Sequence, residues 1–285
     1  MFSAGEAQST WEGELRNSKR GVLLRLGSVP TTLACFILLS GVAEASFSNA
    51  SLKGSYGYSF AKWTADSTQN AINSVGIFTF DGVSAVTYSD TDNNAGNIGT
   101  ETGSGTYSVN ANGTGSIILK NSGNGNTTKF SISINSGGKG FQILQTSCHD
   151  TCNNDVNTGI ALAQQGTSFS NASLKGAFSV LTNTWTPTST IPADANIGIV
   201  TFDGVSKVTA SITSNAAGEG TANKSSGTYS VNSDGSGTLS LTNKDGQTTT
   251  VAFVINTAGK QFQYLLTSCI GACGNYVQSG TAIHQ

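Results

Sequence analysis

Beyond residue 45 the chain has no arginine. In those 240 residues it carries ten lysines and twelve acidic side chains, a net charge near −2. Nucleic-acid binding relies on clustered Lys and Arg that neutralise phosphates, so this balance argues against it. The usual bidentate grip on phosphates or carboxylates is missing as well. Proline is scarce too, and beyond residue 45 only Pro187 and Pro192 remain. No stretch there shows a convincing 3.6-residue apolar period, which excludes a helical architecture. There is no G-x-S-x-G elbow, phosphate loop or H-E-x-x-H motif. Beyond residue 45, Glu101 and Glu219 are the only glutamates, and they stand at different distances from the G-T-Y motif of their copy. A duplicated pair of glycosidase carboxylates is therefore not in place. Low net charge and regularly spaced Phe, Tyr, Ile, Leu and Val speak against disorder in this Gly-, Ser- and Asn-rich chain.

What the chain does contain is one cassette written twice. Phe47-Ser-Asn-Ala-Ser-Leu-Lys-Gly54 returns unchanged as Phe169 to Gly176, an offset of 122 residues. Ile77-Phe-Thr-Phe-Asp-Gly-Val-Ser84 answers Ile199-Val-Thr-Phe-Asp-Gly-Val-Ser206, and Gly105-Thr-Tyr-Ser-Val-Asn110 answers Gly227 to Asn232. The offset then drops to 121, at which Cys148, Cys152 and Gly159 match Cys269, Cys273 and Gly280. A period this long exceeds that of solenoids, so each copy is expected to bury its own core as a domain. The expected domains are 46–165 and 166–285, joined by a short linker, Gln164 to Ser168.

Residues 1–45 match neither copy and hold all three arginines, Arg16, Arg20 and Arg25. Leu33 to Val42 and Ala43-Glu-Ala45 have the apolar core and A-x-A site of a secretory signal peptide, with Ser46 the expected first mature residue. About ten to thirteen apolar residues fall short of the roughly 20 that span a bilayer, so no stable membrane span is expected after cleavage. The basic stretch is long for a signal peptide, which leaves open a start further in, with residues 1–20 an artefact of the assigned start. Cys35 precedes the apolar run instead of ending it, which weakens a lipoprotein reading. The expected location is secreted: periplasm, cell surface or exterior.

Four cysteines remain, Cys148 with Cys152 and Cys269 with Cys273, each a C-x3-C pair. An even number in an exported chain points to disulfides, and duplication favours pairing inside each copy, although sequence does not fix the connectivity. The alternative is zinc held by thiolates and His149. His149 has Ile270 as its counterpart, so the second copy lacks that ligand, and no metal or other cofactor is expected.

Within each copy the apolar residues alternate, as in half-buried strands. Tyr107 and Val109 do so, as do Phe130, Ile132 and Ile134, and Leu239 and Leu241. Asp81-Gly82, Asn112-Gly113, Asn124-Gly125 and their counterparts are hairpin turn pairs. The first copy reads as strands near 55–64, 74–80, 84–91, 103–110, 114–120, 127–135, 140–147 and 157–164. An eight-stranded meander closes into a barrel that removes its own edges and that side chains or one small ligand can fill. The expected fold is all-β: two tandem, roughly eight-stranded antiparallel up-and-down barrels, with β-sandwiches as the alternative.

Ser51 to Tyr56, Thr79 to Gly82 and Gly105 to Gly115, with their second-copy equivalents, carry S-L-x-G-x-Y/F, T-F-D-G and G-T-Y-x-V-N-x-x-G-x-G. With these motifs the chain resembles an uncharacterised class of secreted bacterial proteins. In architecture it is more distantly similar to lipocalin-like, allene oxide cyclase and dirigent barrels, a fold-level likeness that implies no catalytic residue.

Asp81 and Asp203 precede Gly and read as turn residues. His149 and His284 lack counterparts and read as exposed bystanders. Lys53 and Lys175 repeat, and an amine at a barrel mouth binds anions or forms Schiff bases, though a lysine before Gly also suits a solvated strand end. Trp63 and Trp185 align as well; such aromatics stack on sugars or apolar ligands, or pack as core. These four are the candidate ligand-binding residues, and no catalytic residue stands out. Three functions fit: a non-enzymatic barrel binding a small apolar ligand or glycan, a structural or adhesive surface component, or a cyclase- or isomerase-like enzyme. The last requires a polar cluster inside the barrel common to both copies.

Overall fold

The structure, a computed structural model, describes residues 46–64, 71–148, 155–166, 168–185, 194–216, 218–270 and 277–285. The first copy forms β1 (Lys53–Thr64), β2 (Ala71–Asp81), β3 (Ala85–Asn94), β4 (Asn97–Val109), β5 (Thr114–Asn121), β6 (Thr127–Ile134), β7 (Gly140–Cys148) and β8 (Asp155–Ala163). The second forms β9 (Lys175–Trp185), β10 (Asp194–Asp203), β11 (Lys207–Ala216), β12 (Glu219–Val231), β13 (Ser236–Asn243), β14 (Thr248–Asn256), β15 (Gln261–Ile270) and β16 (Val277–His284). Each strand pairs antiparallel with the next. Closure comes from β1 on β8, between Tyr56–Ala163 and Thr64–Asp155, and from β9 on β16. The molecule is therefore two closed eight-stranded barrels, and the sandwich alternative falls.

Alternation explains the inside and outside of each wall. Along β1, Tyr56, Tyr58 and Phe60 are buried, while Gly57, Ser59 and Ala61 occupy the outward positions. Phe78, Phe80 and Phe141 are almost wholly buried, and each such ring contributes about 1.5–3 kcal/mol. Tyr58 and Phe78 stack at 4.1 Å, and Phe80 meets Tyr107 edge-on at 4.9 Å.

The repeated octapeptide closes one end of each barrel. A 3-10 turn, Asn49–Ser51, is fixed by reciprocal Ser48 and Ser51 hydrogen bonds and delivers Leu52 into the core with no exposed surface. The Val109 N–H donates to Asn49 Oδ1 at 2.7 Å, and the Asn49 amide donates to the Val83 carbonyl. Tyr107 Oη donates to the carbonyls of Asn49 and Leu52, both at 3.0 Å. In the second barrel Asn171, Leu174, Tyr229 and Val231 repeat every one of these contacts.

The T-F-D-G motif belongs to the same end. Asp81 Oδ1 accepts from the N–H groups of Val83, Ser84 and Ala85 at 2.7–3.0 Å, and Asp203 does the same for Val205, Ser206 and Lys207. These N–H donors, Val83 and Val205 foremost, hold both carboxyls below the usual range. Both aspartates are turn residues, and their Gly82 and Gly204 supply the positive φ, 83° and 82°.

The barrels pack directly on one another. Val75 of the first meets Ala252 and Leu265 of the second in a buried cluster. The Asn73 amide donates to Ser279 Oγ and the Asn93 amide to the Leu266 carbonyl, both at 2.8 Å. Gln164, leaving β8, donates to the Asp234 and Ile255 carbonyls at 2.9 Å, which ties the linker to the second barrel.

Candidate functional site at the barrel mouths

At the end opposite the octapeptide each barrel holds a cavity. In the second barrel it measures about 430 Å³. Val180, Val200, Ile212, Leu239, Leu241 and Val251 make an apolar wall, and Asn196, Asn223, Asn243, Gln247 and Gln278 make an amide rim. Tyr264 and Thr182 share a 2.5 Å hydrogen bond within it, and burial pushes the Tyr264 hydroxyl up to about 12. Asp194 is the only carboxylate lining this cavity among the described residues. Burial raises its pKa against hydrogen bonds from Asn196 and Thr184, and its buried Oδ1 has no protein partner.

The first barrel's cavity is smaller, about 340 Å³, and chemically different. At the matching offsets, Tyr58, Tyr88 and Phe130 stand where the second barrel has Val180, Ala210 and Val251, so rings occupy the space. Asp90, Asp92 and Glu101 line the mouth where the second barrel has Ile212, Ser214 and Asn223. Tyr58 Oη donates to Asp90 Oδ2 at 2.8 Å. Burial pushes Asp90 up to about 7, with Glu101 and Asp92 adding to the rise and the Tyr58 hydrogen bond opposing it. Burial and Glu101 raise Asp92 as well. Lys62 also lines this mouth.

The residues singled out from sequence lie elsewhere. Trp63 follows the inward Lys62 and so points outward, 37% exposed, on the outer wall. Lys53 and Lys175 are exposed at the closed end, where their aliphatic stems cover Gly82 and Gly204. The Trp185 side chain, Cys152, Cys273 and His149 lie outside the described residues, while Cys148 ends β7 and Cys269 lies on β15. His284 is exposed, its ring edge-on to Phe178 and its Nε2 3.0 Å from the Lys175 carbonyl oxygen.

No family model matches the chain, and no curated protein matches it. Among solved structures it is similar to kievitone hydratase from Nectria haematococca, at 8% identity, covering 83% of this chain and 91% of that one, with a TM-score of 0.30. It is also similar to a protein of unknown function of the DUF3598 family from Nostoc punctiforme, at 11% identity, covering 82% and 97%, with a TM-score of 0.23. Likenesses this weak transfer neither ligand nor chemistry to this chain.

Proposed function

We propose that the protein is an exported, non-enzymatic tandem barrel whose second cavity binds one small neutral ligand with an apolar body and a few hydroxyl or carbonyl groups. The observation that carries this is the composition of the 430 Å³ cavity: an aliphatic wall, an amide rim, one carboxyl, Asp194, which burial shifts toward its neutral form, and among the described residues no lysine. Its size falls within the range of small-molecule pockets, and its few convergent polar groups suit orientation of a ligand. A glycan is favoured less, because Trp63 stands on the outer wall of the first barrel and the rings that line the second cavity, Phe262 and Tyr264, are buried. The mouths share amides, with Asn121, Asn126 and Asn157 answered by Asn243, Gln247 and Gln278, but Asp90, Asp92 and Glu101 have no acidic counterparts at the second mouth, so among the described residues the copies share no acid cluster to support an enzyme reading.

Export rests on the leader-like residues 1–45 and on the proposed pairing of Cys148 with Cys152 and Cys269 with Cys273. The repeated motifs support grouping the chain with the secreted bacterial proteins it resembles. Among the described residues no helix is long and apolar enough to cross a membrane. The strands turn mostly Ser, Thr and Asn outward, the reverse of the apolar exterior of a membrane barrel.

Native mass spectrometry of the protein isolated from its host tests the reading. The expected result is one small ligand lost on denaturation, a start at Ser46 and a mass lower by four hydrogens before reduction. A bare chain would contradict the binding claim, and four free thiols or an intact leader would contradict export.

A further inference from the structure

The joint between the barrels is made by two different faces. The first barrel contributes its β1–β2 face, centred on Val75 with Gly57 and Asn73, and the second its β14–β15 face, centred on Leu265 with Ala252 and Val254. Because the barrels are duplicates, each possesses both faces. One of each is left unused: the β9–β10 face of the second barrel and the β6–β7 face of the first.

The unused faces keep an apolar residue at the positions of Val75 and Leu265, while Ser131 and Ser133 stand where the joint has Ala252 and Val254. Ile197 is the counterpart of Val75, and it is 59% exposed where Val75 is 4% exposed. Directly across from it on β9 is Leu181, 54% exposed. Leu144 is the counterpart of Leu265 and is 46% exposed where Leu265 is fully buried. Beside it lies Ile160, 40% exposed, along a groove of about 660 Å³ that Ser279 of the second barrel bounds on one side. Polar positions repeat too: Asn215 answers Asn93, and Gln142 answers Gln263. Neither Ile197, Leu181, Leu144 nor Ile160 is paired across its sheet with a charged residue.

We infer that these faces bind each other between copies, the β9–β10 face of one chain seated on the β6–β7 face of the next, so that the internal joint is repeated along an assembly. The contact is heterologous, so it does not saturate as a two-fold dimer does and it propagates head to tail. It is weaker than the internal joint, because Ser131 and Ser133 replace Ala252 and Val254 and because two further positions differ. Gly57 lies so close to the second barrel that a Cβ there would be 2.1 Å from Asn256 Oδ1, and its counterpart is Ser179. Asn73, which bonds Ser279, is answered by Ala195, which has no amide to donate.

Sedimentation velocity of the purified chain over a wide concentration range tests this, using Ile197→Asp to block one face and Leu144→Asp to block the other. Both sites are exposed, so circular dichroism of the variants should match that of the parent. The parent is expected to form species that grow past the dimer with concentration. Each variant alone should be monomeric, with association weakened at least about tenfold, since an unpaired charge in an apolar contact costs more than 1.4 kcal/mol. An equimolar mixture of the two variants should give a dimer and nothing larger, because each supplies the face the other lacks. A parent that stays monomeric, a parent that stops at a dimer, or variants that assemble as the parent does would overturn the inference.

Discussion

Tyr58 donates a 2.8 Å hydrogen bond to Asp90 across the first mouth, and the residues at those two positions in the second barrel are Val180 and Ile212. The closed ends show the opposite relationship, because the hydrogen bonds from Val109 to Asn49 and from Tyr107 to the Asn49 and Leu52 carbonyls are repeated by Val231, Asn171, Tyr229 and Leu174. Duplication has kept the plug and changed the mouth. What the two closed ends share is therefore scaffold, and the proposed ligand site lies at the mouth where the copies differ most.

The acid cluster makes the first barrel sensitive to pH. Asp90 holds its proton to about pH 7 when folded, whereas an unfolded Asp titrates near 3.9. The folded state thus binds more protons between about pH 4 and 7, and its stability falls as pH rises through that window. Asp92, also raised, works in the same direction. Asp90→Asn keeps an acceptor for Tyr58 and removes the titration. Its melting temperature should be flatter than the parent's from about pH 5 to 8 and higher at the alkaline end. A parent more stable at pH 8 than at pH 5 would contradict the burial of Asp90.

The plug predicts matched costs in the two barrels. Leu52→Ala and Leu174→Ala each empty a fully buried site, which costs about 2–5 kcal/mol. Urea unfolding of each variant should show losses that agree within about 1 kcal/mol, because the hydrogen-bonded plug that holds each leucine is the same. Tyr107→Phe leaves the Asn49 and Leu52 carbonyls short of a donor and should cost about 1–3 kcal/mol. A neutral Leu52→Ala would mean that the octapeptide does not close the barrel.

Much of this was legible in the sequence, and the gaps have physical causes. The alternation of Phe130, Ile132 and Ile134 and the Asp-Gly and Asn-Gly turns locate most strands within a few residues. β4 begins at Asn97 and not near 103, because Gly99 to Thr102 pair with Thr91 to Asp92 and Ser89 to Asp90 without an apolar signal. The bulges where Thr146 and Thr267 bond the Lys129 and Thr250 carbonyls left no mark in composition. The mouths were harder still, since period two is read from apolar residues and the inward phase turns polar there. The signal was nevertheless present: Asp90 and Asp92 continue the phase of Val86 and Tyr88, and Lys62 continues that of Phe60. Followed strictly, the same phase puts Trp63 on the outside.

The most direct test of the account is the stoichiometry with which a neutral, apolar, environment-sensitive fluorophore binds the chain, followed by calorimetric titration. The parent should bind one molecule per chain, in the second barrel. Val180→Tyr with Ala210→Tyr, which copies Tyr58 and Tyr88 into that cavity, should abolish binding while leaving the fold intact. Two molecules per chain, or binding that survives the double substitution, would contradict the assignment of the ligand to the second mouth.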